Sequence, residues 1–530
     1  MKKGILLCLG FITISLTNAQ DITDALRYAK DDVQGTARYR ALSGAFGALG
    51  GDMSAITINP AGSSVFNDSH ISISLSNQNN KTETQYFNGK EDTSDSNFDL
   101  NQIGAAFVFN NRNANSNWKK FTLGVTYNKI EDYNNDWFAH GTNNRNSIGN
   151  YFLENAQGQE LFVFYPSNNE LSQYFNINEN LIANNDNLYN ELSYQFLGEV
   201  ENSQQQQNFL GYQSFILEPE TTDNTNTVYT SNIADGEYRQ EYTYAATGYN
   251  GKFTINASTQ YGENLFLGVN INTHFINYEH TTYLFEQNNN AGSLINEVGF
   301  KNSLKTIGSG VSIQLGGILK VAKQLRIGLS YDTPTWYTIE DETRQSIKTL
   351  SYDGIALEGG GTFYNANINP RVINLFEQYN LKTPGKLTGS VAYVFGTRGL
   401  LSFDYSVKDY SNTKFKPSSD AYFSYQNSVI NDNLTTAATY KIGGEYKIKQ
   451  FSLRGGFRFE ESPYKNEETV GDLTGYSLGL GYNFGKLKLD LTFDQWQRET
   501  NYQLYQVGLT DTANLDSKNA NVTMSVSFNL

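Results

Sequence analysis

The sequence predicts an all-β transmembrane fold, a fourteen-stranded antiparallel outer-membrane β-barrel with an N-terminal hatch (a plug) inside its lumen. Three observations predict it. Apolar and polar residues alternate with period two from about residue 69 to the last residue, which marks strands with one apolar and one polar face. The connections between these segments are alternately short and long, as in barrels with periplasmic turns and extracellular loops. The chain also opens with an export leader.

Taken in order, Lys2 and Lys3 give a basic start, Gly4 to Leu16 a mostly apolar run, and Thr17-Asn18-Ala19 a small-residue cleavage site before Gln20. Residues 1–19 are expected to be a secretory signal peptide, too short to span a bilayer. The single cysteine, Cys8, lies inside it, so the cleaved chain has no thiol. Residues 20–66 do not alternate. Ile22, Ala25, Leu26 and Ala29 have helical spacing, with Asp21 or Thr23 at the cap. Dense small residues follow from Ala41 to Asp52, then Asn59-Pro60-Ala61-Gly62. Their apolar content places this segment inside the lumen as a hatch, with residues 67–530 forming the barrel.

The alternating segments fall near 69–79, 101–111, 118–131, 239–260, 263–285, 299–320, 323–340, 384–395, 399–409, 434–448, 450–461, 472–484, 486–498 and 518–530. Val522, Met524, Val526, Phe528 and Leu530 share one face of the last. Long loops are expected at 80–100, 132–238, 286–298, 341–383, 410–433, 462–471 and 499–517, the second being largest. A soluble sandwich fits less well, because its strands average about 5–6 residues and many of these reach the roughly 9–11 needed to cross a bilayer. Aromatic pairs near segment ends suit interfacial girdles: Tyr127 and Tyr133, Tyr278 and Tyr283, Tyr331 and Trp336, Phe493 and Trp496.

Composition excludes other classes. No internal run approaches the roughly 18 apolar residues of a spanning helix, and mean hydropathy is −0.50. A net charge of −15 without a basic cluster argues against nucleic acid. The four histidines, His70, His140, His274 and His280, form no metal-binding pattern, and no G-x-S-x-G occurs. Gly479-x-Gly481 is followed by no helix that could seat a dinucleotide. No enzyme activity, metal or cofactor is expected.

Several stretches resemble the FadL-type outer-membrane transporters of long-chain fatty acids and other hydrocarbons. They are Gly35-Thr36-Ala37-Arg38, the run Gly44 to Gly51, Asn59-Pro60-Ala61-Gly62, Leu325 to Tyr331, Thr383 to Leu387, Leu453 to Phe457 with Ser462-Pro463-Tyr464, and Gly479 to Tyr482. The 132–238 insert and the terminal Leu530, where an aromatic is common, depart from the pattern. The resemblance implies a Gram-negative outer-membrane channel for passive uptake of hydrophobic small molecules, with lateral release. Its partners would be the hydrophobic ligand, outer-membrane lipid and the barrel-assembly machinery. The chain is expected to be a monomer with both termini periplasmic.

Candidate site residues follow from these readings. Phe46, Leu49, Ile56 and Ile58 are the large apolar residues of a small-residue hatch and are expected to face the lumen or wall as ligand-binding surface. The resemblance implies a gate at which Asn59, Pro60 and Ala61 approach an interrupted third strand between Gly124 and Tyr133. The Asn59 amide could satisfy backbone groups left unpaired there. Val372, Leu375, Phe376 and Tyr379 follow Asn369-Pro370 at i, i+3, i+4, i+7 spacing, which predicts a short amphipathic loop helix forming a ligand groove. Leu181, Leu188, Leu192 and Phe196 suggest another helix in the insert. The alternative reading is a secretion or assembly platform, or an adhesin working through that insert.

Overall fold

The computed structural model describes residues 20–113, 115–357 and 360–530; the expected leader lies outside the described residues. Fourteen wall strands follow one another in chain order. They are β1 (His70–Tyr86), β2 (Gly89–Asn110), β3 (Trp118–Asp132 and Asn135–Asn143), β4 (Tyr238–Tyr261), β5 (Leu265–Gln287), β6 (Glu297–Lys320) and β7 (Leu325–Asp332 and Trp336–Ala356). They continue as β8 (Tyr379–Lys382 and Lys386–Val394), β9 (Gly399–Asp409 and Lys414–Lys416), β10 (Thr436–Ile448), β11 (Phe451–Glu460), β12 (Val470–Asn483), β13 (Leu487–Gln503) and β14 (Thr512–Asn529). Each pairs antiparallel with its neighbours, and β14 pairs with β1 from His70↔Asn529 to Gln85↔Asn514, so the sheet closes on itself. Closure leaves no edge to aggregate.

Period two sets the two faces. Ile71, Val125, Ile271, Leu478, Leu491 and Met524 point outward and are exposed, a belt that suits lipid. Ser72, Ser74, Thr126, Asn270, Thr492 and Ser525 point inward and are buried. Three of the four expected girdle pairs place one member in the lumen: Tyr133 is buried there beyond the β3 register shift at Lys129–Glu131, and parity accounts for the other two. Tyr278 and Tyr283 are five apart, on opposite faces; Tyr283 is outside and Tyr278 is buried in the lumen. Phe493 faces out and Trp496, three residues on, lines a lumen cavity. Tyr331 and Trp336 both face out, because the break at Thr333–Thr335 resets the parity.

The strands run further than the alternation showed. Residues 80–100 are not a long loop: β1 and β2 form one hairpin turning at Phe87-Asn88. The upper part of β7 likewise continues to Ala356. Beyond the lipid belt both faces meet polar surroundings, so the ladder persists while the apolar signature fades. The expected amphipathic helix at Val372–Tyr379 does not form. Asn369 and Pro370 precede Arg371, which has φ +59°, a left-handed conformation that stops a helix at its first turn. The chain instead runs along β7, pairing Glu342↔Leu375 and Thr343↔Asn374.

The insert between β3 and β4 carries α3 (Ile148–Ala156), α4 (Asn168–Phe175), α5 (Glu179–Ala183), α6 (Asp186–Phe196) and α7 (Ser203–Gln213). Helix α3 docks on the barrel through Glu286 of β5, which accepts from the Ile148 N–H at 2.8 Å. Phe152 packs on Phe300 of β6 at 5.2 Å, so α3 covers the lumen mouth. Leu171, Ile182 and Leu192 of α4–α6 make a small core of their own, joined by Leu188 and Phe196, while Leu181 is exposed.

The hatch begins with α1 (Ile22–Ala29), capped by Asp21 in a reciprocal box with Asp24, and α2 (Ala37–Ala41), capped by Thr36. Two 3₁₀ turns follow, Ser54–Thr57 and Pro60–Val65, the second capped by Asn59. The start of the hatch and the last residue do not lie together. Leu530 ends beside the short turns, its N–H bonded to Ser69 O at 2.9 Å. Gln20 sits in the lumen on the long-loop side, its backbone carbonyl accepting from Tyr422 in α8 (Ala421–Asn433), a helix of the β9–β10 connection. The hatch start thus lies at the mouth opposite Leu530. A plug that enters β1 from the short-turn end and fills the lumen must begin near the opposite mouth.

Candidate functional site

The hatch closes the lower lumen. Its backbone lies so close to the wall that facing wall positions have room only for hydrogen. A Cβ on Gly268 would sit 2.4 Å from Pro60 C and O, and one on Gly328 2.3 Å from Gly47 O. Gly443 and Gly456 make the same room for Leu42. Ion pairs lock this fit. Asp31 receives Lys386 at 2.6 Å and also pairs with Lys408. Arg458 meets Asp32 at 2.6 Å, Arg40 meets Asp494 at 2.7 Å and Arg38 meets Glu445 at 2.9 Å. Asp404 of β9 accepts the Phe46 and Gly47 N–H groups at 3.0 and 2.9 Å.

This anchoring has a measurable weight. Burial alone would raise the Asp31 carboxyl, but the Lys386 and Lys408 ammonium groups hold it well below the carboxylate range. A depressed folded-state value stabilises above the ordinary pKa of about 3.9 and is lost as pH falls below it, so the hatch should stay seated at pH 5. Asp31→Asn leaves two half-buried lysines facing each other. With Asp31 one-third exposed, a cost of about 2–3 kcal/mol is expected in hatch seating, read as earlier protease cutting of residues 20–66 on heating.

The predicted ligand-binding residues belong to this packing. Phe46 is fully buried, 5.7 Å from Tyr39 and beneath Arg38 at 5.2 Å. Leu49 and the half-buried Ile58 share its cluster, and Ile56 packs with Met53, Phe66 and Ala106. None of the four lines either of the two cavities found among the described residues. Asn59 is likewise displaced from its expected place. Its Nδ2 donates to Gly47 O at 2.7 Å and Gly317 O at 3.0 Å, and its Oδ1 accepts the Ala61 N–H at 3.1 Å. It serves β6, not β3. Pro60 and Ala61 lie against Gly268 of β5, while the hatch side chain near Gly124 is Ile56. Of the expected loop groove, Tyr379 is buried against Phe415 and Phe423, Leu375 is 73% exposed, and Val372 and Phe376 are half-buried.

The third strand is interrupted all the same. Pairing of β2 with β3 runs from Asn110↔Lys120 to Gln102↔Asn128 and stops there. Above it the β3 register shifts between Lys129 and Glu131, and the strand breaks at Tyr133-Asn134. Its upper piece leaves β2 and bonds to inward side chains of β1: Asn80 Nδ2 donates to Asn134 O at 2.7 Å and Thr84 Oγ1 to Phe138 O at 2.6 Å. A seam remains in the wall.

Polar groups freed at the seam are met by the hatch, through residues that the sequence did not single out for this role. The Asp32 N–H donates to Ile130 O at 3.0 Å, Asn101 Nδ2 donates to Gln34 Oε1 at 2.5 Å, and the Gly35 N–H donates to Asn101 Oδ1. Lys129 bridges Asp99 and Asp132, each at 2.7 Å. The only forewarning was Gly35, within the motif Gly35-Thr36-Ala37-Arg38. Its φ of +140°, and a Cβ site 2.2 Å from Ser54 Oγ, admit glycine alone.

Behind the seam lies a cavity of about 200 Å³ between hatch and wall. Tyr133, Tyr244, Tyr278 and Trp496 supply apolar faces; Arg27 and Gln34 supply polar ones. Arg27 lies 4.3 Å over the Tyr278 ring, and Trp137 stacks on Tyr244 at 5.3 Å just above. The Tyr133 hydroxyl and Trp496 Nε1 are buried without a hydrogen-bond partner among the described residues. A larger concavity of about 740 Å³ lies among the exposed Phe109, Trp118, Phe121 and Leu267, on the lipid-facing wall.

A hatched fourteen-strand barrel agrees with the sequence family matched by residues 267–529, the outer membrane protein transport proteins OMPP1/FadL/TodX. The chain belongs to this family. The FadL/TodX family consists of outer-membrane transport channels rather than enzymes, and the barrel places this member in the outer membrane. Its fold is that of a Pseudomonas aeruginosa FadL homologue, with a TM-score of 0.51 at 11% identity over 94% of this chain and 99% of that one. The Pseudomonas putida toluene transporter TodX is less similar, with a TM-score of 0.47 at 13% identity over 94% and 99%. The Ralstonia pickettii toluene transporter TbuX gives 0.45 at 12% over the same shares. No curated protein matches this FadL-type chain in sequence.

Proposed function

We propose that this FadL-type barrel takes up hydrophobic small molecules, long-chain fatty acids or similar hydrocarbons, passively, and releases them sideways through the seam between β2 and β3. The observation that carries this reading is the unpaired stretch of β2 above Gln102, which opens beside a cavity with aromatic walls while the hatch blocks the axial path. An apolar solute gains by leaving water for lipid, at about 25 cal/mol per Å² of apolar surface buried, so no energy input is needed. At the seam the Asp32 N–H satisfies the Ile130 carbonyl, and Gln34 and Gly35 hold the Asn101 side chain, which lowers the cost of a lateral opening.

The test is uptake of a radiolabelled long-chain fatty acid and of a neutral aromatic hydrocarbon by cells lacking the native gene and carrying either the wild-type or the Tyr278→Asp protein. A carboxylate at Tyr278 beneath Arg27 should cut uptake several-fold while the barrel folds normally. Equal uptake of both tracers with and without the wild-type protein would refute the reading.

A further inference from the structure

A buried carboxylate at the start of the hatch lacks a cation. Asp341 of β7 is 3% exposed. One of its oxygens accepts from Gln20 Nε2 at 2.8 Å and the other from Thr306 Oγ1 at 2.6 Å. Among the described residues no lysine, arginine or histidine forms an ion pair with it. Arg27, the cation of α1, is engaged by Asp24. Burial, with Asp21 and Asp341 nearby, pushes the Asp24 carboxyl up to about 7 despite Arg27. Asp24 and Asp341 thus draw on one guanidinium, that of Arg27 in the last turn of α1. An unpaired buried charge is costly, and neutral hydrogen bonds from an amide and a hydroxyl do not cancel it.

The residue held against Asp341 is Gln20, itself 3% exposed, the first residue after the expected cleavage site. We propose that the α-ammonium of Gln20, created when the leader is cut after Ala19, pairs with Asp341 and latches α1 in the mouth of the lumen. Before the cut this nitrogen is a neutral peptide N–H. After it, the nitrogen is an amine whose ordinary pKa is about 7.7–8.0, charged at neutral pH and more so beside a carboxylate. Processing therefore supplies the charge that the fold is missing, whichever solute the channel carries.

Reductive methylation of the purified protein at pH 7 tests this, followed through the tryptic peptide Gln20–Arg27 by mass spectrometry. In the native barrel the α-amine should react at least tenfold more slowly than in the unfolded chain, and Asp341→Asn should restore fast reaction while the barrel keeps its heat-modifiable mobility. If Asp341→Asn fails to fold, inserting Gly-Ser between Ala19 and Gln20 displaces the ammonium instead, and α1 should then become protease-sensitive. Equal labelling rates in wild type and Asp341→Asn, fast or slow, overturn the latch. So does a mature protein that begins at another residue or carries Gln20 in its cyclised, amine-free form, and so does an α1 that stays protected after the insertion.

Discussion

Joining β2 to β3 across the open seam should stop uptake. Lys129 and Asp99 face each other there, 2.7 Å apart at their charged ends. The single cysteine, Cys8, lies in the expected leader, so Asp99→Cys with Lys129→Cys creates the one thiol pair of the barrel, and a short bifunctional thiol reagent with a reducible link can span it. Under the lateral reading the solute must part these two strands. A covalent bridge leaves the cavity a dead end, and initial uptake should fall at least tenfold, recovering when the link is reduced. The control lies in the same ladder. Phe107 and Leu123 are directly paired where the wall is closed, and the same bridge between cysteines at those two positions should change nothing. Full uptake with the seam bridged would show that the solute leaves by another route.

The second large effect concerns the hatch. Valine at Gly268 and Gly328 together would drive side chains into hatch backbone at Pro60 and Gly47, where no rotamer can yield. The wall ladder at both positions is regular, so the barrel should still close. The hatch should not seat. Cells should become permeable to polar solutes such as a bulky hydrophilic antibiotic, with sensitivity rising several-fold, and residues 20–66 should be cut by added protease. A folded double variant with unchanged permeability would mean that the hatch is not what closes this channel. Phe46→Asp with Ile56→Asp should act the same way, since both side chains are buried within the plug.

The parts of the site differ in how readily the sequence betrays them. Alternation in 118–131 marks β3, but nothing local says that β2 will leave it at Gln102, because both strands keep pairing potential. Asn59 announces a capping residue and does cap the Pro60–Val65 turn, yet which strand its amide meets depends on how the hatch lies in the lumen. Gly35 stood out within a motif, whereas its seam neighbours Asp32 and Gln34 look like ordinary polar hatch residues. Their partners, Ile130 and Asn101, lie about a hundred residues and 67 residues further along the chain, respectively. The loop at 369–379 had helical spacing, but a left-handed Arg371 and the nearby β7 edge outweighed it.

By itself the sequence determined the wall: the number of strands, their order, which face meets lipid and which end bears the long loops. Those properties are local, because each strand's alternation and each turn's length are fixed within a few residues. Tertiary structure alone decided where the hatch touches the wall, which ladder opens and which aromatics gather behind it. Those contacts join segments far apart in the chain, and their outcome rests on steric room at glycines and on charge pairing across the lumen, neither of which leaves a periodic mark in the sequence.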